Sequence, residues 1–177
     1  MENNTARPLG AGLTVLGAVA RVLPHLPNFT PVGGLSLFAG ARMRGWQAYA
    51  LPLVLMGITD LFVGGYSRAT PLVYVSFLIY VWIGSRLRDT ENPLKIGAGA
   101  IVGSLQFFLL TNLSLLAPGN LYPHTLAGVM QSYAAGIPFY GRTLASDLLY
   151  SAALFGLHAW LSRAVARSER VASLQVA

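Results

Sequence analysis

The chain has no cysteine, which excludes disulfides, thiolate metal sites and cysteine nucleophiles. It is also poor in charge. Only 10% of its residues are charged, against about 25% in soluble domains. Such a chain cannot cover a water-facing surface. Acidic residues are the scarcest part of that charge, six against twelve basic ones, for a net charge of +6. The basic residues sit in short clusters between apolar segments. That is the pattern of membrane topology rather than of nucleic-acid binding. Recognisable catalytic motifs are missing too: there is no HExxH spacing, phosphate loop, dinucleotide fingerprint or serine–histidine–acid set. No internal repeat and no low-complexity segment stands out.

What is present is apolar sequence. Over 177 residues, 54% are hydrophobic and the mean hydropathy is +0.56. These values predict a single integral membrane domain, all-α, in the lipid bilayer. Six apolar segments can be drawn, over 9–23, 30–41, 46–64, 71–85, 94–117 and 143–162. A spanning helix needs about 20 residues. The first, second and fourth are short, as helices are when protein rather than lipid surrounds them. The stretch 118–141 reads as an outer loop. Within it, a short surface helix falls between Pro123 and Pro138. Ala18-Val19-Ala20 resembles a signal-peptidase site, but a single preceding basic residue and a glycine-rich run favour a retained helix.

Basic residues set the orientation. With both termini cytoplasmic, the inner set is Arg7, Arg42, Arg44, Arg86, Arg88, Lys95, Arg163, Arg167 and Arg170. The outer side keeps Arg21, Arg68 and Arg142. This agrees with the positive-inside rule.

The threading gathers Arg21, Asp60, Arg142 and Asp147 toward the outer half. An ionisable group at membrane depth is costly and usually marks a pathway or a site. Asp60 lies one turn from its helix end and Asp147 near the start of the sixth helix. Arg142, at a helix N-terminus, opposes the macrodipole and calls for an anion: Asp60, Asp147 or a ligand. Tyr74 sits where an aromatic belt is expected, whereas Tyr80 is deeper. Asn112 is at the depth of a polar site. In the turn His25 to Pro31, Pro27 and Pro31 forbid a regular helix, and Asn28 and Thr30 can satisfy the freed backbone groups or bind a polar ligand. His25 and His124 fall in outer loops. Gly10, Thr14 and Ala18, and separately Gly99 and Gly103, form small-residue stripes for close helix packing, inside the bundle or against a partner.

Several stretches carry a family resemblance. They are PHLPNFTPVGGLSLFAGA (Pro24 to Ala41), the helix of Asp60, VYVSF (Val73 to Phe77), NLYPHTLAG (Asn120 to Gly128) and PFYGRTLASDLLY (Pro138 to Tyr150). Together they resemble a family of small six-helix bacterial membrane proteins. That family is similar to the substrate-binding S components of energy-coupling-factor vitamin transporters, with BtuM-type cobalamin transporters as its best-described relatives. The resemblance implies a six-helix bundle in the bacterial cytoplasmic membrane, opening outward to a vitamin-like small molecule. It implies cobalamin or a related corrinoid as substrate, no covalently held cofactor, and an energising module of a transmembrane partner and ATPases. In BtuM-type proteins a cysteine can ligate cobalt. This chain has none, leaving His25 or His124 for such a contact. The ligand-binding set expected is Asn28, Asp60, Tyr80, Asn112, Arg142 and Asp147. Other readings are a membrane scaffold without transport and an intramembrane enzyme using Asp60 or Asp147.

Overall fold

The computed structural model describes Gly12, Val15, Val19, Arg21 and residues 27–63, 65–67, 69–113 and 121–175. The described residues form an all-helical protein with no strand. Five helices have defined bounds: α1 (Val32–Arg42), α2 (Trp46–Val63), α3 (Thr70–Ser85), α4 (Pro93–Thr111) and α5 (Leu126–Gln175). Gly12, Val15, Val19 and Arg21 are helical as well. The rest of the segment expected over 9–23 lies outside the described residues, as do His25 and the whole Gly10, Thr14 and Ala18 stripe.

α1 is the centre of the bundle. It has 11 residues, about 16 Å of helix, and Val32 to Ala41 are all buried. Its sequence is a poor helix former, since each glycine costs about 1 kcal/mol relative to alanine. Packing holds it instead. A β-carbon on Gly40 would collide with the Val81 carbonyl, and one on Gly84 with the Leu37 carbonyl. The backbones of α1 and α3 therefore touch through reciprocal glycine notches. Phe38 packs edge-on against Phe155, and Arg42 lies 4.9 Å above the same ring, so α1 also runs alongside α5.

α4 starts where local chemistry places it. Asn92 caps it, accepting from the Leu94 and Lys95 backbone N–H groups, and Pro93 occupies its first turn. It runs antiparallel to α3: Gly99 faces Leu87, Gly103 faces the Tyr80 ring, and the Gln106 amide donates to the Ser76 carbonyl at 3.1 Å. The Gly99–Gly103 stripe is thus spent inside the bundle. α4 ends at Thr111, short of the 117 expected from its apolar run, with Asn112 as C-cap.

The largest departure is α5. A surface helix between Pro123 and Pro138 and a separate helix over 143–162 were expected. The structure has one 50-residue helix running through Pro138. The physical reason is packing on both sides of the proline. Phe108 of α4 packs against Tyr133 and Tyr140 in tilted ring pairs, at 5.5 and 5.0 Å between centroids. The Tyr133 hydroxyl also donates to the Leu109 carbonyl at 2.8 Å. These contacts offset the missing N–H and the ring clash that an interior proline brings.

One end of the bundle collects the basic residues. Arg42 donates to the Thr90 carbonyl at 2.6 Å, and Arg163 pairs with Glu91 at 2.7 Å. The α1–α2 and α3–α4 connections carry Arg44, Arg86 and Arg88 to that end. The flanks are apolar and exposed, through Val54, Ile58 and Leu61 of α2, Val102 and Leu105 of α4, and Leu149 and Trp160 of α5. α4 and Leu126–Ser168 of α5 are long and apolar enough to cross a membrane, and α3 is a shorter apolar helix.

Candidate functional site

Among the described residues two carboxylates are buried in this apolar bundle, and each accepts a hydrogen bond from a tyrosine of α3. Tyr74 and Tyr80 are six positions apart. They are separated by about 9 Å of rise and about 120° around the helix, so they serve different clusters.

The first cluster joins α2, α3 and the N-terminal helical segment. Asp60, 8% exposed, accepts from Arg21 at 2.5 Å and from the Tyr74 hydroxyl at 2.8 Å. Arg21 also contacts the Met56 sulfur one turn earlier on α2. The side chains of Arg21 and Asp60 are each 11% exposed. The pair leaves the Arg21 Nε buried and unpartnered among the described residues. Nearby, Tyr66 donates to the Gly57 carbonyl at 2.6 Å, tying the α2–α3 turn back onto α2.

The second cluster joins α1, α3 and α5. Asp147 is 2% exposed. Its carboxylate accepts from the Tyr80 hydroxyl and faces the backbone N–H of Gly34 in the first turn of α1. Pro31 supplies no side-chain cap to α1, so Asp147 caps that helix from another element, where the macrodipole favours an anion. The fit requires glycine. A β-carbon on Gly33 would enter the Asp147 carboxylate, and one on Gly34 would meet Ser151 and Tyr150. Ser146 reaches across to the Thr30 carbonyl at 3.2 Å, which fixes the same junction. Ser151, one turn beyond Asp147, is 1% exposed, and its hydroxyl has no partner among the described residues.

A profile described as a family of unknown function, DUF6580, matches residues 1–170. The chain belongs to DUF6580. No curated protein matches it, and no solved structure does.

In this DUF6580 protein the four charges expected at one polar place are divided. Arg21 and Asp60 pair with each other. Asp147 is held by Tyr80 and Gly34. Arg142 is exposed and has no ion-pair partner among the described residues. It is five positions from Asp147, about 140° around α5, so the two face opposite ways. An anion for Arg142 was expected because it read as lying at the N-terminus of a helix over 143–162. Since α5 begins at Leu126, Arg142 is interior and no macrodipole acts on it.

The remaining expected residues are dispersed. Tyr80 is fully buried, its ring packed on Phe77 and Phe107, so no face is left for a ligand to stack on. Asn112 donates back to the Phe108 carbonyl at 3.0 Å, and its side-chain oxygen fills the notch at Gly136. Asn28 is exposed with φ of 63°, a left-handed turn conformation that asparagine tolerates. His124 is exposed, and His25 lies outside the described residues. No group of acidic and histidine side chains suited to a metal ion occurs among the described residues.

Tyr74 and Gly34 were not expected in the site. Tyr74 was legible: Asp60 and Tyr74 are equidistant from Ser67, the middle of the α2–α3 turn, so an antiparallel pair brings them level. Gly34 contributes a backbone N–H, and no side-chain pattern announces that.

Proposed function

We propose that this DUF6580 protein is a multi-pass protein of the bacterial cytoplasmic membrane that binds a small polar solute and carries it across the bilayer. The observation that carries the reading is the Arg21–Asp60–Tyr74 cluster inside a bundle with apolar flanks. A buried ion pair adds little net stability over apolar residues of the same volume, so its presence points to use rather than to architecture. The solute meets this cluster, with Asp60 contacting an amide or cation and Arg21 an oxygen. The basic end faces the cytoplasm, and the Asp60 end faces outward. In the six-helix threading with both termini inside, α1 reaches across only together with the turn before it, since 11 residues cover about half of a 30 Å core.

A vitamin-like solute such as a corrinoid follows from the resemblance to S components. The S-component reading also brings an energising module as partner. No cysteine is available to hold cobalt. A scaffold role draws less support, because the Gly99–Gly103 stripe packs against Leu87 and Tyr80 within the same chain.

Native mass spectrometry of the detergent-purified protein tests the proposal. A co-purifying small molecule that is lost in Asp60→Asn, with the fold retained, is the expected result. Visible absorbance tests the corrinoid. Full solute binding by Asp60→Asn would exclude the cluster as the site.

A further inference from the structure

We propose that Asp147 is a reversible proton-binding site whose occupancy controls the joint between α1 and α5. The proposal rests on the transport reading for its purpose, but its chemistry stands on Asp147 alone.

The contrast between the two buried acids carries the argument. Asp60 has a cation 2.5 Å away. Asp147 is more deeply buried, at 2% exposure, and no cation pairs with it among the described residues. From α3 it faces the Tyr80 hydroxyl, and from α1 only the Gly34 N–H. From α4, Gly103 lies against the Tyr80 ring and brings no charge. On its own helix the titratable neighbours are Tyr140, which acts on Tyr80, and Tyr150, whose ring packs on Phe29. Arg142 points away. Two neutral donors and a helix terminus stabilise the carboxylate, but none is a full charge. An acid so placed can gain a proton without breaking an ion pair.

The step is simple. A proton from water adds to one carboxylate oxygen of Asp147, and the phenolic proton stays on Tyr80. The negative charge at the N-terminus of α1 is lost. The Gly34 N–H then faces a neutral group in place of an anion, and the new O–H needs an acceptor of its own. Ser151, one turn along the same face, is buried with an unused hydroxyl. Protonation thus weakens the hold of α5 on the start of α1. A bundle that must open one side and then the other has here a joint that responds to one proton.

Infrared difference spectroscopy of the full-length protein in detergent, titrated with pH, tests this. The expected result is a protonated-carboxyl band that disappears in Asp147→Asn and persists in Asp60→Asn. Tyr80→Phe removes a donor that favours the charged form. It should raise the titration midpoint by about one pH unit, the equivalent of one hydrogen bond to a charge. An unchanged band in Asp147→Asn, or no such band down to the pH of unfolding, would overturn the proposal. If Asp147→Asn does not fold, an unshifted midpoint in Tyr80→Phe overturns it equally. A protein that shows the titrating band but binds no solute upholds the proton site and refutes the transport reading.

Discussion

The Asp147 carboxylate occupies the space that a side chain at Gly33 would need. The two residues come from helices far apart in sequence, and their contact places an acid over the open N-terminus of α1. Gly33→Ala must push the carboxylate away from the Gly34 N–H and the Tyr80 hydroxyl. Overpacking of this kind costs about 1–3 kcal/mol, with the lost cap in addition. Thermal unfolding in detergent should show a clear fall in Tm. An unchanged Tm would mean that α1 is not anchored by this contact.

The glycine notches between α1 and α3 are stricter still. At Gly40 and Gly84 the obstacle to a β-carbon is backbone, the Val81 and Leu37 carbonyls, so no rotamer change relieves it. Gly84→Ala should separate the two helices and destabilise by at least the 1–3 kcal/mol of core overpacking. Gly97→Ala in α4 is the control. Nothing lies within 4 Å of a β-carbon there, and removing a helical glycine should be neutral or slightly stabilising.

How far the sequence announces all this varies by element. The starts of α3 and α4 are written locally, in Thr70-Pro71 and Asn92-Pro93. The all-helical class follows from hydropathy alone. α5 was misread because Pro138 is a local signal, whereas the packing of Phe108 on Tyr133 and Tyr140 is tertiary. The candidate site was half legible. Asp60, Tyr80 and Asp147 stand out as polar groups in apolar runs. Their partners depend on helix rotation, and a wrong start for α5 put Arg142 at a helix N-terminus, where it called for an anion that an interior position does not need.

The Arg21–Asp60 pair allows structure and function to be separated. Arg21→Ala leaves a carboxylate without its cation in a nearly buried place, and removing one partner of a buried pair typically costs about 3–5 kcal/mol. The double variant Arg21→Met, Asp60→Leu removes both charges and should recover most of that stability. A double-mutant cycle by chemical denaturation measures the coupling. If the cluster contacts solute, the double variant will be stable and yet bind none. Normal binding by a stable double variant would reduce the pair to architecture.

At the basic end, Glu91 and Arg163 form an exposed pair, and the guanidinium holds the Glu91 carboxyl below its usual range. A depressed carboxyl contributes stability above its unfolded-state pKa and loses it as pH falls through the lower folded value. The contribution is therefore complete at neutral pH and disappears only in acid below the ordinary carboxylate range. Exposure and salt screening keep it small. Glu91→Gln should leave Tm at neutral pH almost unchanged and remove a slight acid and salt sensitivity. A large loss of stability at neutral pH would mean that the pair anchors α5 to the α3–α4 turn.

Because the chain has no cysteine, single introduced cysteines report its orientation without background. Ser67 lies in the exposed α2–α3 turn, and Arg88 in the exposed α3–α4 turn at the opposite end of α3. The helix between them has 16 residues, about 24 Å, close to the thickness of a hydrocarbon core. In right-side-out membranes a charged, impermeant maleimide should label Ser67→Cys and leave Arg88→Cys unlabelled. Inverted membranes should reverse the pattern, since the basic end that includes Arg88 belongs on the cytoplasmic side. Labelling of both positions from one side would mean that α3 does not cross the bilayer. The buried clusters at Tyr74 and Tyr80 would then belong to a protein lying on the membrane, and solute transfer across it would lose its route.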